Sequence, residues 1–197
     1  HTTRFEYDAI HRLVRQTAKD QGKLAELSIV GSGDLDRQVL EKMLPPFEHM
    51  LRNAVIHGLE SPAEREVMGK PPAGSIRIAI RREGAEVVID ITDDGRGLDV
   101  LAIRRKAIEL GFVGKEAALT DEEAMQFILR SGFSTADQLT RAAGRGIGMD
   151  VVANQVAKLG GTLSITSQRG KGTTFTLRLP MTLAIVRRPP ASARLPA

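Results

Sequence analysis

The sequence predicts an α+β fold, a two-layer sandwich in which helices cover one face of a mixed, mostly antiparallel sheet. Three observations carry this. Residues 75–81 and 86–92 alternate around Glu83-Gly84, and residues 162–167 and 173–179 alternate around Gly170-Lys171-Gly172. Each pair reads as a hairpin, and hairpins make antiparallel neighbours. The segments with helical apolar spacing read as one covering layer. Neither glycine cluster of the chain has the strand–turn–helix setting with a distal acid that a dinucleotide fingerprint needs, and no Gly-Lys-Ser/Thr phosphate loop is present. That argues against a doubly wound parallel sheet.

Taken in order, residues 4–20 place Ile10, Leu13, Val14 and Ala18 on one side of a helix. Residues 24–30 alternate as a strand closed by Gly31-Ser32-Gly33. Asp34 or Asp36 is suited to cap a helix carrying Val39, Leu40 and Met43, which Pro45-Pro46 is expected to interrupt. Proline suits the first turn of a following helix. That helix, about 46–59, carries Phe47, Met50, Leu51, Ala54 and Val55 and ends at Gly58. Residues 61–74 are rich in Pro and Gly and read as loop. After the first hairpin, helix signals return at 99–110 and stop at Gly111. Thr120 and Glu123 form a capping box for a helix through Leu129. Residues 130–148 read as a mobile loop and 149–159 as a helix, followed by Gly160-Gly161 and the second hairpin. The end of the chain, from Arg187 on, lacks periodicity and reads as linker.

Composition narrows the function. With 197 residues the chain can bury a full core, and 42% hydrophobic against 26% charged content reads as a soluble globular protein. No apolar run approaches a membrane span, and no signal segment opens the chain, so direct membrane insertion is not expected. The absence of cysteine excludes disulfides and thiolate metal sites and is compatible with the cytoplasm. The 28 basic and 24 acidic residues are interspersed, and seven aromatics leave few stacking platforms, so no nucleic-acid partner is expected.

Two glycine loops of different chemistry point to a nucleotide. Gly144-Arg145-Gly146-Ile147-Gly148 opens into a helix, and a helix N-terminus with free N–H groups suits phosphate. Asp93-Asp94-Gly95-Arg96-Gly97 leads instead with carboxylates, which repel phosphate but accept a hydrogen bond from an amine such as that of adenine. Upstream, His49, Asn53 and His57 recur at spacing four on one helix face. An Asn amide oxygen is a hard ligand suited to Mg²⁺, and a neutral imidazole one turn away can serve as a base near pH 7. The plainer readings stand beside these. His49 and His57 can be half-buried polar residues of an amphipathic helix, and Asp93 and Asp94 can be turn residues. Phe133, alone in a polar loop, can anchor a lid or be a core contact.

Together these residues resemble the ATP-binding domain of histidine kinases, in the gyrase, chaperone, kinase and MutL superfamily that shares the Bergerat fold. Its boxes stand here as His49-x-x-Arg52-Asn53-x-x-x-His57-Gly58, then Asp93-Asp94-Gly95-Arg96-Gly97, Gly132-Phe133-Ser134-Thr135, Gly144-Arg145-Gly146-Ile147-Gly148 and Gly172-Thr173-Thr174. A His at the head of the first box, Gly-Phe-Ser-Thr, and Met149-Asp150-Val151-Val152 after the last glycine are similar to the CheA-type chemotaxis kinases. The resemblance implies a lead-in helix and strand at 1–35, an ATP-binding kinase domain at 36–180, and at 181–197 the start of, or a linker to, a CheW-like regulatory domain.

By that resemblance the cofactors are ATP and Mg²⁺. Asp93 accepts from the adenine amine, Gly95 and Gly97 let the backbone approach the base, and Thr173 lines the base pocket. Asn53 holds Mg²⁺, and His49 is the catalytic residue facing the substrate imidazole. Arg52, His57 and Lys106 contact phosphate, Phe133 and Ser134 belong to the nucleotide site, and Gly144, Gly146 and Gly148 form the hinge and phosphate-facing end of a lid over 134–148. The implied reaction is transfer of the γ-phosphoryl group to a histidine on a separate phosphotransfer domain, with response regulators, a CheW-like coupling protein and chemoreceptors as further partners. The parent protein is expected to be a cytoplasmic homodimer and this chain a monomer. The alternative is a superfamily ATPase or a catalytically weakened nucleotide-binding module, since Ile56 stands where these kinases commonly carry Asp.

Overall fold

The computed structural model describes residues 2–31, 34–133 and 148–180. A first helix, α1 (Thr2–Asp20), leads to strand β1 (Ala25–Val30) and then to α2 (Asp34–Asn53), which runs on as a π-helical turn over Ala54–Gly58. A short helix, α3 (Pro62–Val67), precedes the hairpin of β2 (Gly74–Glu83) and β3 (Glu86–Asp93). Next come α4 (Val100–Glu109) and α5 (Asp121–Met125), the latter extended by a 3₁₀ turn, Gln126–Leu129. After the undescribed segment follow α6 (Met149–Lys158) and the hairpin of β4 (Thr162–Gln168) and β5 (Gly172–Pro180).

The five strands form one sheet in the order β1-β2-β3-β5-β4. β1 pairs with β2 in parallel, and every other pairing is antiparallel. The sheet is therefore mixed and mostly antiparallel, as predicted. Both hairpins turn where glycines adopt positive φ, Gly84 at 56° and Gly170 at 81°.

One face of the sheet is covered. Ile76, Ile78 and Ile80 of β2, Val87, Ile89 and Ile91 of β3, and Leu177 and Leu179 of β5 bury themselves against α1, α2 and α6. The opposite face is polar and tied across strands, with Arg81 to Asp90, Thr176 to Asp90 and Thr92 to Thr174. No described helix is long and apolar enough to cross a membrane. A smaller core under α4 gathers Ile103, Ala107, Phe127 and Phe133, with Phe112 against them.

Two expectations are corrected. Pro45-Pro46 does not interrupt α2, because both prolines lie inside it. An interior proline costs about 3 kcal/mol or more, through its lost N–H and a clash with the preceding turn. Met43, Phe47, Met50 and Leu51 are all essentially fully buried along the same helix. At about 1.5–3 kcal/mol each, their burial offsets that cost. Residues 61–74 are not all loop, since they contain α3. Ser61 caps it by accepting from the Glu64 N–H, and Pro62 sits in its first turn. The predicted lid, apart from Gly148, and the segment 181–197 lie outside the described residues.

Candidate functional site

The sheet's covered face opens into a cleft between the end of α2, the loop after β3, the start of α6 and the end of β5. The π-helical turn widens the helix where it meets the cleft, and Asn53, Ala54, His57 and Gly58 all reach the wall. Opposite them stand Asp93, Gly97, Leu98, Ile128, Gly148, Met149, Thr173 and Phe175. The wall is thus largely apolar, with a few polar groups converging.

Asp93, the last residue of β3, is the most constrained of these groups. It is only 6% exposed. Burial pushes its carboxyl up to about 6; hydrogen bonds from the Gly95 and Thr173 backbone oppose this, while the nearby charges of Asp94 and Glu60 add to it. Its Oδ1 accepts from the Gly95 N–H at 2.9 Å. Thr173, 7% exposed, shares a hydroxyl hydrogen bond of 3.0 Å with Ser167.

The loop after Asp93 is stitched to its surroundings by backbone. Arg96 N–H donates to the Gly58 carbonyl at 2.8 Å, and Gly170 N–H to the Arg96 carbonyl at 2.7 Å. A Cβ on Gly95 would lie 2.1 Å from the Gly58 oxygen, and one on Gly97 would lie 2.4 Å from the Gln168 oxygen. These glycines let protein backbone approach protein backbone, and Gly97 also forms part of the wall.

Asp94 belongs to a different assembly. Its carboxylate takes Arg65 Nη2 at 2.9 Å and the Ser75 N–H at 2.8 Å. Arg65, fully buried, also bonds Glu60 at 2.9 Å, and Lys70 bonds Glu60 at 2.6 Å. Burial pushes the Glu60 carboxyl up, but its bonds to Lys70 and its own backbone, with the charges of Lys70 and Arg65, hold it below the ordinary carboxylate range. Arg65 and Lys70 lie within 61–74, which reads as loop from the sequence, and Glu60 lies just before it, outside any short motif. The Ser61-Pro62-x-Glu64 capping pattern was the signal that α3, and so Arg65, held a fixed place.

The remaining expected residues divide. Asn53 is on the cleft wall with its amide nitrogen donating to Met149 Sδ at 3.3 Å. His57 is on the wall too, and desolvation lowers its pKa, helped by the positive charges of Lys23 and Arg96. Gly148 caps α6 in extended conformation, so the N-terminus of that helix meets the cleft. His49 is half-buried one turn before Asn53, off the wall, with a buried Nδ1 that has no hydrogen-bond partner among the described residues. Arg52 is exposed and off the wall. Lys106 lies with its Nζ 4.9 Å from the Phe133 ring centroid, and Phe133 is a core contact in the cluster with Phe112 and Phe127. Ser134, Gly144 and Gly146 lie outside the described residues.

The cleft's chemistry fits a flat ring bearing a donor. Leu98, Ile128, Met149 and Phe175 offer apolar surface, and Asp93 offers a buried acceptor. For a divalent cation, no group of three His, Cys, Asp or Glu side chains is assembled among the described residues. Asn53, with its nitrogen occupied by Met149, presents an amide oxygen, which suits an ion carried in largely by a ligand's own oxygens.

A one-face-covered mixed sheet with an acid at the end of an apolar cleft defines an α+β sandwich built around a ligand site. The family described as histidine kinase-, DNA gyrase B- and HSP90-like ATPases matches residues 44–183, and the chain belongs to it. Similar proteins include a chemotaxis protein CheA of Rhizobium meliloti, 40% identical over 91% of this chain and 24% of the relative. A gliding motility regulatory protein of Myxococcus xanthus is 43% identical over 92% of this chain and 24% of its own length. A CheA of Halobacterium salinarum is 43% identical over 89% and 27% respectively. The chain is a CheA-like ATPase-family domain, and it spans about a quarter of the length of the curated relatives it matches.

Proposed function

We propose that the cleft binds ATP with its adenine amine on Asp93, and that the domain serves transfer of the γ-phosphoryl group to a histidine on a separate phosphotransfer domain. The observation that carries this reading is the buried Asp93 carboxylate at the end of an apolar wall. An ionised acid so desolvated gains from a donor beyond its backbone partners, and the adenine amine is one. Thr173 lies beside it as a second polar contact for the base.

Mg²⁺, when bound with ATP, neutralises triphosphate charge, and Asn53 is the residue that would hold it. His57, kept neutral more readily than a free imidazole, would donate a hydrogen bond to a phosphate oxygen at the wall. The N–H groups opening α6 after Gly148 suit the same phosphates. Gly144 and Gly146, with Ser134, would complete the nucleotide enclosure, and Arg52 and Lys106 would reach phosphate only by leaving their present positions. His49 would orient the incoming imidazole or take its proton, using the ring nitrogen other than the buried Nδ1.

Within a longer protein, the reading places this domain in a cytoplasmic, homodimeric CheA-type kinase. Response regulators would then receive the phosphoryl group, and a CheW-like coupling protein and chemoreceptors would control its supply. The test is calorimetry of ATP with and without Mg²⁺, followed by phosphotransfer from labelled ATP to an added phosphotransfer domain. Binding with transfer is expected. Release of free phosphate without any acceptor would replace the kinase reading by a water-activating ATPase, and absence of ATP binding would end both.

A further inference from the structure

The four charged groups Glu60, Arg65, Lys70 and Asp94 lie next to the proposed base site without touching the cleft wall. Two carboxylates and two cations balance, so the group carries no net charge into the interior. Stability alone is a weak reason for such a group, because apolar residues of similar volume generally hold a fold as well. Charged groups with fixed partners supply direction.

That direction falls on one peptide. The Asp94 carbonyl oxygen accepts from Lys70 Nζ at 3.0 Å and from Arg65 Nη1 at 3.3 Å. Lys70 Nζ also reaches the Gly95 carbonyl at 2.9 Å. The peptide joining Asp94 to Gly95 is planar and trans, so its N–H points away from its carbonyl. That N–H is the one donated to Asp93 Oδ1 at 2.9 Å. Two cations thus hold one edge of a rigid plate, and the other edge sets the carboxylate. Cations on the carbonyl also polarise the peptide and strengthen its N–H as a donor. Arg65 is in turn locked by Glu60 and by the Pro71 carbonyl, which accepts from its Nε at 2.6 Å.

We infer that Glu60, Arg65 and Lys70 are positioning residues for base recognition, acting on Asp93 through the Asp94–Gly95 peptide and fixing which carboxylate oxygen faces the ligand. This rests on the reading of Asp93 as the adenine acceptor. A structural role alone would weaken every nucleotide alike, whereas a positioning role acts on the amine contact.

The experiment compares binding of ATP with binding of purine riboside triphosphate, which carries hydrogen in place of the exocyclic amine. It uses the 197-residue chain and its Lys70→Met and Glu60→Gln variants. Lys70 is partly exposed, which limits the damage of its loss, and Glu60→Gln keeps the shape and an acceptor oxygen. The unsubstituted chain is expected to prefer ATP by about tenfold or more. In either variant that preference should fall to within about twofold, with affinity for the amine-free nucleotide nearly unchanged. Equal loss for both nucleotides, or full retention of the preference in the folded variants, overturns the inference while leaving Asp93 as the acceptor. No preference in the unsubstituted chain overturns the Asp93 reading itself.

Discussion

Asp93→Asn should make the domain more stable and a poorer binder of ATP. In the folded chain burial displaces the Asp93 carboxyl from its ordinary 3.8 to about 6. The sign follows from linkage. A group whose folded-state pKa is raised contributes stability that is present in full below the unfolded value and is lost as pH rises through the folded one. Above pH 6 the native chain therefore bears a cost, and at 1.36 kcal/mol per pKa unit the displacement amounts to about 3 kcal/mol. Asparagine cannot ionise, and its Oδ1 still accepts the Gly95 N–H.

The variant should thus match the unsubstituted chain near pH 4 and exceed it by up to about 3 kcal/mol at pH 8. For a chain of this size each kcal/mol moves Tm by roughly 2–4 °C. Urea or thermal unfolding of both proteins from pH 4 to pH 8 reads the difference directly. Over the same change ATP binding should weaken by about 1–3 kcal/mol, as for loss of a buried, charge-assisted hydrogen bond. A stability difference that does not change with pH, or a variant less stable than the unsubstituted chain at pH 8, would refute the argument that the carboxylate is ionised at a cost in order to accept from a ligand.

Other substitutions separate the remaining roles. Asn53→Ala should abolish the Mg²⁺ dependence of triphosphate binding, measured by calorimetry with and without the ion, while leaving ADP affinity in chelator nearly unchanged. His49→Ala should leave ATP affinity within about threefold and slow phosphotransfer by about 10²–10⁴-fold, read in single-turnover transfer to an added acceptor domain. Gly95→Ala brings a methyl to 2.1 Å from the Gly58 oxygen and 2.5 Å from its carbon. That backbone cannot step aside cheaply, so about 1–3 kcal/mol of destabilisation and a sharp loss of ATP binding are expected in melting and titration.

What could be read from the sequence was what is encoded locally. The hairpins announced themselves through alternation and through Gly84 and Gly170, and Thr120 capped its helix by accepting from the Glu123 N–H as its spacing indicated. Asp93, Asn53, His57, Gly97 and Thr173 were legible because their chemistry is carried by short motifs, and they do converge on one cleft. Pro45-Pro46 misled because the burial that overrides proline is tertiary and leaves no local mark. The resemblance implies a phosphate contact for Lys106, and the structure adds that its ammonium lies over Phe133, a partner 27 positions away that periodicity does not announce. Arg65 and Lys70 were invisible for the same reason, since their bonds to Asp94 span 29 and 24 positions.

The arrangement around Asp93 explains why cations so near it do not simply neutralise it. Had Arg65 or Lys70 paired with the Asp93 carboxylate, the acid would sit at a low pKa with its lone pairs occupied, and a ligand amine would have to displace a salt bridge. Instead Asp94 and Glu60 take the cations, and their own negative charges add to the upward displacement of the Asp93 carboxyl. The cations reach Asp93 only through the Asp94–Gly95 peptide, which orients one of its oxygens and leaves the other without a charged partner. A carboxylate held in place and buried, with backbone donors but no charged partner, gains from a ligand that brings a further donor. Discrimination then follows, because a base presenting a carbonyl at that point would set oxygen against oxygen beside a carboxylate that is only 6% exposed. GTP should therefore bind poorly, and calorimetry giving equal affinities for ATP and GTP would show that Asp93 does not read the base.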